Sequence, residues 1–213
     1  MNIIPAIIGK DFDEVEKKIK RIEGLVEWIQ IDVMDGIFTE ALSWQCFDFP
    51  GRDNLKVELH LMVKDPQINL DKWLGVGVDR ILIHYESTDE KKLEEILDEL
   101  NDAEVEAGIA LKLETPIDVL DKFIDKVDLV QLMSIATIGA YGIAFDDRVY
   151  DKIKDLRAKY PGVTIEIDGG VSLDNAQKLI DAGADNLVVG SAIFKSEDIE
   201  ETINNFKSLE RRT

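Results

Sequence analysis

A chain of 213 residues, 45% hydrophobic and 7% aromatic, can bury one large core without disulfides or a structural metal, which excludes a disordered or cysteine-stapled protein. Its formal net charge of −19 repels phosphate backbones and anionic lipid, so neither nucleic acid nor membrane is an expected partner. Any phosphate the chain binds must be gripped locally, by backbone N–H groups and helix ends. Cys46 is the single cysteine, which rules out an intramolecular disulfide and fits a reducing compartment. No segment reaches the ~18 apolar residues of a membrane span. The opening Met1-Asn2-Ile3-Ile4-Pro5 lacks the charged and apolar regions of a signal peptide, so a cytoplasmic protein is expected.

Eight short runs rich in β-branched residues are predicted strands: 3–8, 28–33, 57–62, 80–84, 106–113, 129–134, 163–168 and 186–190. After the first, Phe12, Val15, Ile19 and Ile22 recur at helical spacing and predict a helix within 11–24. After the second comes an irregular stretch, 34–54, with Asp35-Gly36 and the apolar residues Trp44, Cys46, Phe47 and Phe49. A loop of this length is expected to be functional or to contain a short helix, with Trp44 and Phe47 lining the site or a subunit contact. Further helices are predicted over 67–74 and 87–100, from Thr115-Pro116 onward, and over 145–160, 172–183 and 197–209.

Strands alternating with helices imply a parallel sheet with right-handed crossovers. An open doubly wound sheet would favour a Gly-x-Gly-x-x-Gly turn after the first strand. This chain has Ile7-Ile8-Gly9-Lys10-Asp11 there and places glycines after its last two strands, so the expected fold is α/β, a single (β/α)8 TIM barrel over 1–213. In such barrels the loops after the strands form the catalytic face. Met34, Met62, Met133, His60 and His84 all lie at or just beyond strand ends, on that rim.

Period-two alternation points Gln30 with Asp32, Glu58 with His60, and Glu166 with Asp168 toward the barrel interior. An inward carboxylate is costly unless it is paired or bound to a cation, so Asp32, His60 and Asp168 suggest a metal site or a proton-transfer pair. Oxygen and imidazole donors suit zinc, iron(II), manganese or cobalt. Asp168-Gly169-Gly170-Val171-Ser172 and Val189-Gly190-Ser191-Ala192 follow the last two strands, where barrels frequently bind phosphate.

In order, Ile4-Pro5-Ala6-Ile7-Ile8, Ile31-Asp32-Val33-Met34-Asp35-Gly36, His60-Leu61-Met62, Asp128 to Ser134, Glu166-Ile167-Asp168-Gly169-Gly170-Val171 and Val189-Gly190-Ser191-Ala192 span nearly the whole chain. Together they resemble the ribulose-phosphate 3-epimerase family. The resemblance implies an isomerase that moves the C3 proton of ribulose 5-phosphate, or a close analogue, through a metal-stabilised enediolate. It implies Asp32 and Asp168 as the acid/base pair, a divalent metal on Gln30, Asp32, His60 and Asp168, and substrate contacts from Met34, His60, Met62, Met133 and Gly142. Gly169, Gly170, Gly190 and Ser191 match the family's phosphate grip. The expected partner is a phosphorylated ketose and the expected assembly a homo-oligomer.

The chain also departs from that pattern. Gln30 stands where the family usually has a histidine ligand, Ala6 where it has a serine, and Ile37 where it has a histidine after the D-V-M-D-G string. Lys112-Leu113-Glu114 replaces an asparagine-proline-glycine element, and the cover loop Ile135 to Ala144 lacks the usual proline-glycine-phenylalanine-glycine-glycine run. These changes leave open an alternative, a sugar-phosphate-binding barrel with weakened or lost catalysis. A related decarboxylase or aldolase-type synthase is disfavoured, because Glu58-Leu59-His60-Leu61-Met62-Val63 lacks the Asp-x-Lys-x-x-Asp string of those barrels.

Overall fold

The inward polar residues are held by a closed barrel of eight parallel strands in sequential order, β1 pairing with β8 to complete the ring. The structure is a computed structural model that describes residues 1–139 and 142–209. The strands are β1 (Asn2–Ile7), β2 (Trp28–Met34), β3 (Lys56–Met62), β4 (Arg80–His84), β5 (Glu106–Leu111), β6 (Leu129–Met133), β7 (Thr164–Asp168) and β8 (Asn186–Val189). Each lies within two residues of the corresponding predicted run.

Alternation separates two apolar cores. Outward residues such as Ile29, Leu59, Ile81, Ile109, Leu132 and Ile167 pack under the surrounding helices, while Ile4, Ala6, Trp28 and Val188 form a small cluster inside the ring. The rest of the interior is polar and stacked by register. Gln30, Glu58 and Arg80 lie side by side on one level, with Gln131, Glu166 and Asn186 across the barrel. Two residues farther along, Asp32 is level with His60, and Met133 with Asp168.

The described helices are α1 (Phe12–Ile19), α2 (Leu70–Leu74), α3 (Glu90–Asp102), α4 (Val149–Lys159), α5 (Leu173–Ala182), α6 (Ser191–Phe194) and α7 (Ile199–Lys207). Asp11, Asp89 and Asp198 cap α1, α3 and α7 by accepting backbone N–H groups of the first turn. None is long and apolar enough to cross a membrane.

Several elements differ from expectation, among them the helix expected over 67–74, which is a 3-10 turn (Pro66–Ile68) followed by the five-residue α2. The helix expected from Thr115-Pro116 is two 3-10 segments, Ile117–Lys122 and Ile124–Lys126. Ile117, Leu120 and Phe123 recur every three residues, which suits the threefold turn of a 3-10 helix, and Leu120 and Phe123 are buried. Helix α4 starts at Val149 rather than Phe145, because Phe145 instead forms an antiparallel bridge with Ile135. The stretch 34–54 contains no helix. Ser43 fastens it by donating to the Asp32 carbonyl at 2.8 Å and accepting from the Met34 N–H at 2.9 Å. Trp44 packs on Phe12 and Phe47 on Trp73, each with ring centroids 5.5 Å apart, so neither lines the barrel mouth. Ile37 and Leu42 are the large apolar residues exposed on this loop.

Candidate active site

Strands β2, β3 and β7 each deliver one chemical group to the mouth. His60 is fully buried, and its Nδ1 lies 3.2 Å from Asp32 Oδ1 and 3.2 Å from Asp168 Oδ2. The two carboxylates therefore converge on one ring nitrogen. The second aspartate of the D-V-M-D-G string, Asp35, points the other way. It accepts from the backbone of Ile37, Phe38 and Lys64 and so ties the loops after β2 and β3 together.

Burial disfavours charge on both partners at this centre, and proximity decides the outcome. Desolvation and the neighbouring Asp168 charge raise the Asp32 pKa, opposed by hydrogen bonds from His60 and Gln30. Burial lowers the pKa of His60, but its hydrogen bonds to Asp168 and Asp32, and their charges, outweigh that and push it up to about 10. The imidazole is thus the counter-ion of the carboxylate pair.

Behind His60 stands a second imidazole that sequence reasoning left on the rim without a role. His84 Nε2 lies 2.9 Å from His60 Nε2, and His84 Nδ1 lies 3.2 Å from Glu86 Oε2. Because Glu86 accepts, His84 carries its proton on Nδ1 and offers the Nε2 lone pair to His60 Nε2–H. His60 Nδ1 is thereby the atom presented to the carboxylates. Burial lowers the His84 pKa to about 4, so this ring stays neutral. Burial raises the Glu86 pKa, but hydrogen bonds from His84, Thr115 and the Lys112 backbone overcome it and hold Glu86 near 2. The signal for this pair was the string His84-Tyr85-Glu86 directly at a strand end.

Gln30 also reaches the centre, amide nitrogen first. Its Nε2 donates to Asp32 Oδ1 at 2.7 Å and to Asp168 Oδ2 at 3.2 Å. Its Oε1 faces away and accepts from Gln131 Nε2 at 2.7 Å. Sequence reasoning missed Gln131, although a lone amide in the apolar run Leu129–Met133 carries the same signal as Gln30 in β2. Two carboxylate oxygens and an imidazole nitrogen lie within 4.8 Å of one another, a donor set that fits a borderline divalent cation. Gln30 presents hydrogens there, not the oxygen that the family resemblance implies for a fourth ligand.

Above the carboxylates is a cleft of about 50 Å³ lined by Asp32, Met62, Met133, Gly142, Asp168, Gly169, Gly170, Gly190 and Ser191, with Ala6 and Ile8 beside them. Gly169 has φ +114, and a Cβ there would sit 2.7 Å from Ile135, so the turn after β7 is closed to larger residues. Ser134 steadies it by donating to the Asp168 carbonyl at 3.0 Å. Of the expected contact residues, Met34 and His60 do not line the cleft. Met34 packs against Gly139, whose Cβ position would be 3.0 Å from the Met34 sulfur, and His60 lies beneath the carboxylates. The cover loop is described apart from residues 140 and 141, which lie outside the described residues.

A closed parallel barrel with a carboxylate pair, an imidazole and glycine-lined loops at the C-terminal mouth defines an enzyme of the TIM-barrel class. The model of the "Ribulose-phosphate 3 epimerase family" matches residues 2–194, and the chain belongs to that family and so to the isomerases. It is 32% identical over 213 residues to ribulose-phosphate 3-epimerase of Schizosaccharomyces pombe, covering 97% of this chain and 92% of that protein. It is 31% identical over 217 residues to the Bacillus subtilis protein of the same name, covering 97% and 98%. Among solved structures, a 3-hexulose-6-phosphate synthase superposes with a TM-score of 0.76 at 13% identity, covering 98% of this chain and 99% of that one. A 3-keto-L-gulonate-6-phosphate decarboxylase from Vibrio cholerae gives 0.73 at 14% identity, covering 97% and 95%. These two likenesses carry the barrel fold alone.

Proposed function

We propose that this chain epimerises a ketose phosphate at carbon 3, interconverting ribulose 5-phosphate and xylulose 5-phosphate or a close analogue. The observation that carries the reading is the convergence of Asp32 and Asp168 on one His60 nitrogen at the floor of a glycine-lined cleft. The C2 carbonyl acidifies the C3 proton. One carboxylate removes it from one face, the C3–H electron pair enters a C2–C3 double bond, and the carbonyl oxygen becomes an enediolate oxygen. Return of a proton from the second carboxylate to the opposite face inverts C3 and restores the carbonyl.

A divalent cation held by Asp32, His60 and Asp168 would supply positive charge beside the oxygen that turns negative. Gly169, Gly170, Gly190 and Ser191 would grip the phosphate through local backbone N–H groups, which act at short range against the chain's net negative field. Met62 and Met133 would line the reacting atoms with adaptable apolar surface.

The test is to incubate the metal-loaded protein with ribulose 5-phosphate in deuterated water, and with allulose 6-phosphate in parallel, and to follow C3 by NMR. Epimer formation with deuterium at C3 is expected for at least one substrate. Phosphate-ester binding without C3 exchange would overturn the proposal in favour of a binding barrel.

A further inference from the structure

The buried amide pair across the barrel bears on how this chain holds its cation. We propose that Gln131 fixes the amide polarity of Gln30 and so withholds the Gln30 oxygen from the cation, leaving a three-ligand site on Asp32, His60 and Asp168. The inference rests on the reading of those three residues as a cation site and goes beyond it by assigning a positioning role to Gln131.

The hydrogen bonds diverge from the amide nitrogen of Gln131, which donates to both of its neighbours. Glu166 Oε1 accepts from Gln131 Nε2 at 3.1 Å, and the same nitrogen donates to Gln30 Oε1 at 2.7 Å. The remaining end of Gln30, its NH₂, is then left for Asp32 and Asp168. An amide NH₂ has no lone pair to give a metal, so Gln30 ligates only if it turns over. Turned over, its NH₂ would face the NH₂ of Gln131, donor against donor in a fully buried place.

Relief would require Gln131 to turn as well, which would set its oxygen against Glu166 Oε1. Gln131 Oε1 meanwhile is buried with no hydrogen-bond partner among the described residues. That orphaned acceptor is the cost of the observed arrangement, and it is the atom that would receive Gln30 Nε2 in the other one. The pair therefore has two polarities, and Glu166 selects the one that points donors at the carboxylates. Until a cation is bound, that polarity also helps offset the repulsion between Asp32 and Asp168.

The experiment measures Mn²⁺ affinity of the full chain by titration with chelator competition, in wild type, Gln131→Met, Gln30→Leu and the double variant. Removing the Gln131 donor frees the Gln30 oxygen, so Gln131→Met is expected to tighten Mn²⁺ binding by about tenfold. The same change in the Gln30→Leu background is expected to do nothing, since Gln131 acts only through Gln30. Unchanged affinity in Gln131→Met, or an equal gain in both backgrounds, would overturn the proposal.

Should Gln131→Met not fold, the wild-type protein decides. The Gln30 side-chain carbonyl carbon resonance is expected to stay in place on zinc addition, and the large shift of a ligating oxygen would contradict the inference. Absence of metal binding by wild type would remove the inference together with the cation site. Turnover on the same samples keeps the two readings separable, because a protein that binds Mn²⁺ as predicted yet epimerises nothing defeats only the functional one.

Discussion

The barrel interior contains two acidic layers built on the same plan, and they differ in what balances the charge. In the lower layer, Arg80 donates to Glu58 at 2.7 Å and to Glu106 at 2.9 Å, lies 3.8 Å from Glu166, and stacks 4.0 Å over Trp28. In the upper layer, two carboxylates share His60. A guanidinium keeps its charge at any working pH and is held by several partners, so the lower layer is fixed. An imidazole can release its proton when a cation takes the nitrogen, and the upper layer opens onto the cleft, so its charge is exchangeable. Chemistry belongs to the layer whose balance can change.

The largest expected effect breaks the upper layer. Asp32→Asn and Asp168→Asn should each lower turnover by roughly 10²–10⁴-fold, the usual worth of a general acid or base. Neither should lower the urea midpoint, because each removes a negative charge from a crowded pair. A parallel loss of stability would assign these residues to structure.

The converse is expected below. Arg80→Met leaves buried carboxylates without their cation and should cost about 3–5 kcal/mol in urea unfolding, the range found when one partner of a buried ion pair is removed. Activity per folded molecule should hold. A variant with wild-type stability and lost activity would reverse the assignment of the two layers.

The histidines contribute opposite slopes to the stability of the metal-free protein on the two sides of neutrality, and on the acid side the raised pKa values of the buried Asp32, Glu58 and Glu166 oppose theirs. His84 takes up a proton near 6.5 when unfolded but only near 4 when folded, so the unfolded chain binds more protons between these values and stability falls as pH drops through them. Glu86, held near 2 against an ordinary 4.5, extends that acid limb downward. His60 keeps its proton to about 10 when folded but loses it near 6.5 when unfolded, so stability falls as pH rises across that window. Chemical denaturation from pH 4 to 9 checks the shape, and a monotonic rise would contradict it.

A smaller effect is expected one residue behind the site. His84→Phe keeps a ring of similar size but removes the acceptor that sets the His60 tautomer, and should weaken metal affinity by about 10–100-fold. Chelator competition reads this directly, and unchanged affinity would show that His60 needs no such support.

The eight strands and the inward set Gln30, Asp32, Glu58, His60, Glu166 and Asp168 were legible in the sequence because period-two alternation needs no tertiary information. The inward direction of Asp32 against the outward direction of Asp35 follows from the same arithmetic. Less legible were features set by contacts between distant strands. Residues 30 and 131 are 101 positions apart, so nothing local indicates that one amide orients the other. The His60–His84 contact likewise depends on the register of β3 on β4. The 3-10 segments after β5 resemble a helix in sequence because spacings of three and four both occur in helical stripes, and only packing of Leu120 and Phe123 separates them.

The proposed division of labour between two aspartates on opposite faces of C3 meets its most direct test in C3 exchange by the single variants. In deuterated water, Asp32→Asn should exchange the C3 proton of one epimer and Asp168→Asn that of the other, each faster than it interconverts them. Exchange of the same epimer by both variants, or epimerisation by either at the wild-type rate, would contradict it.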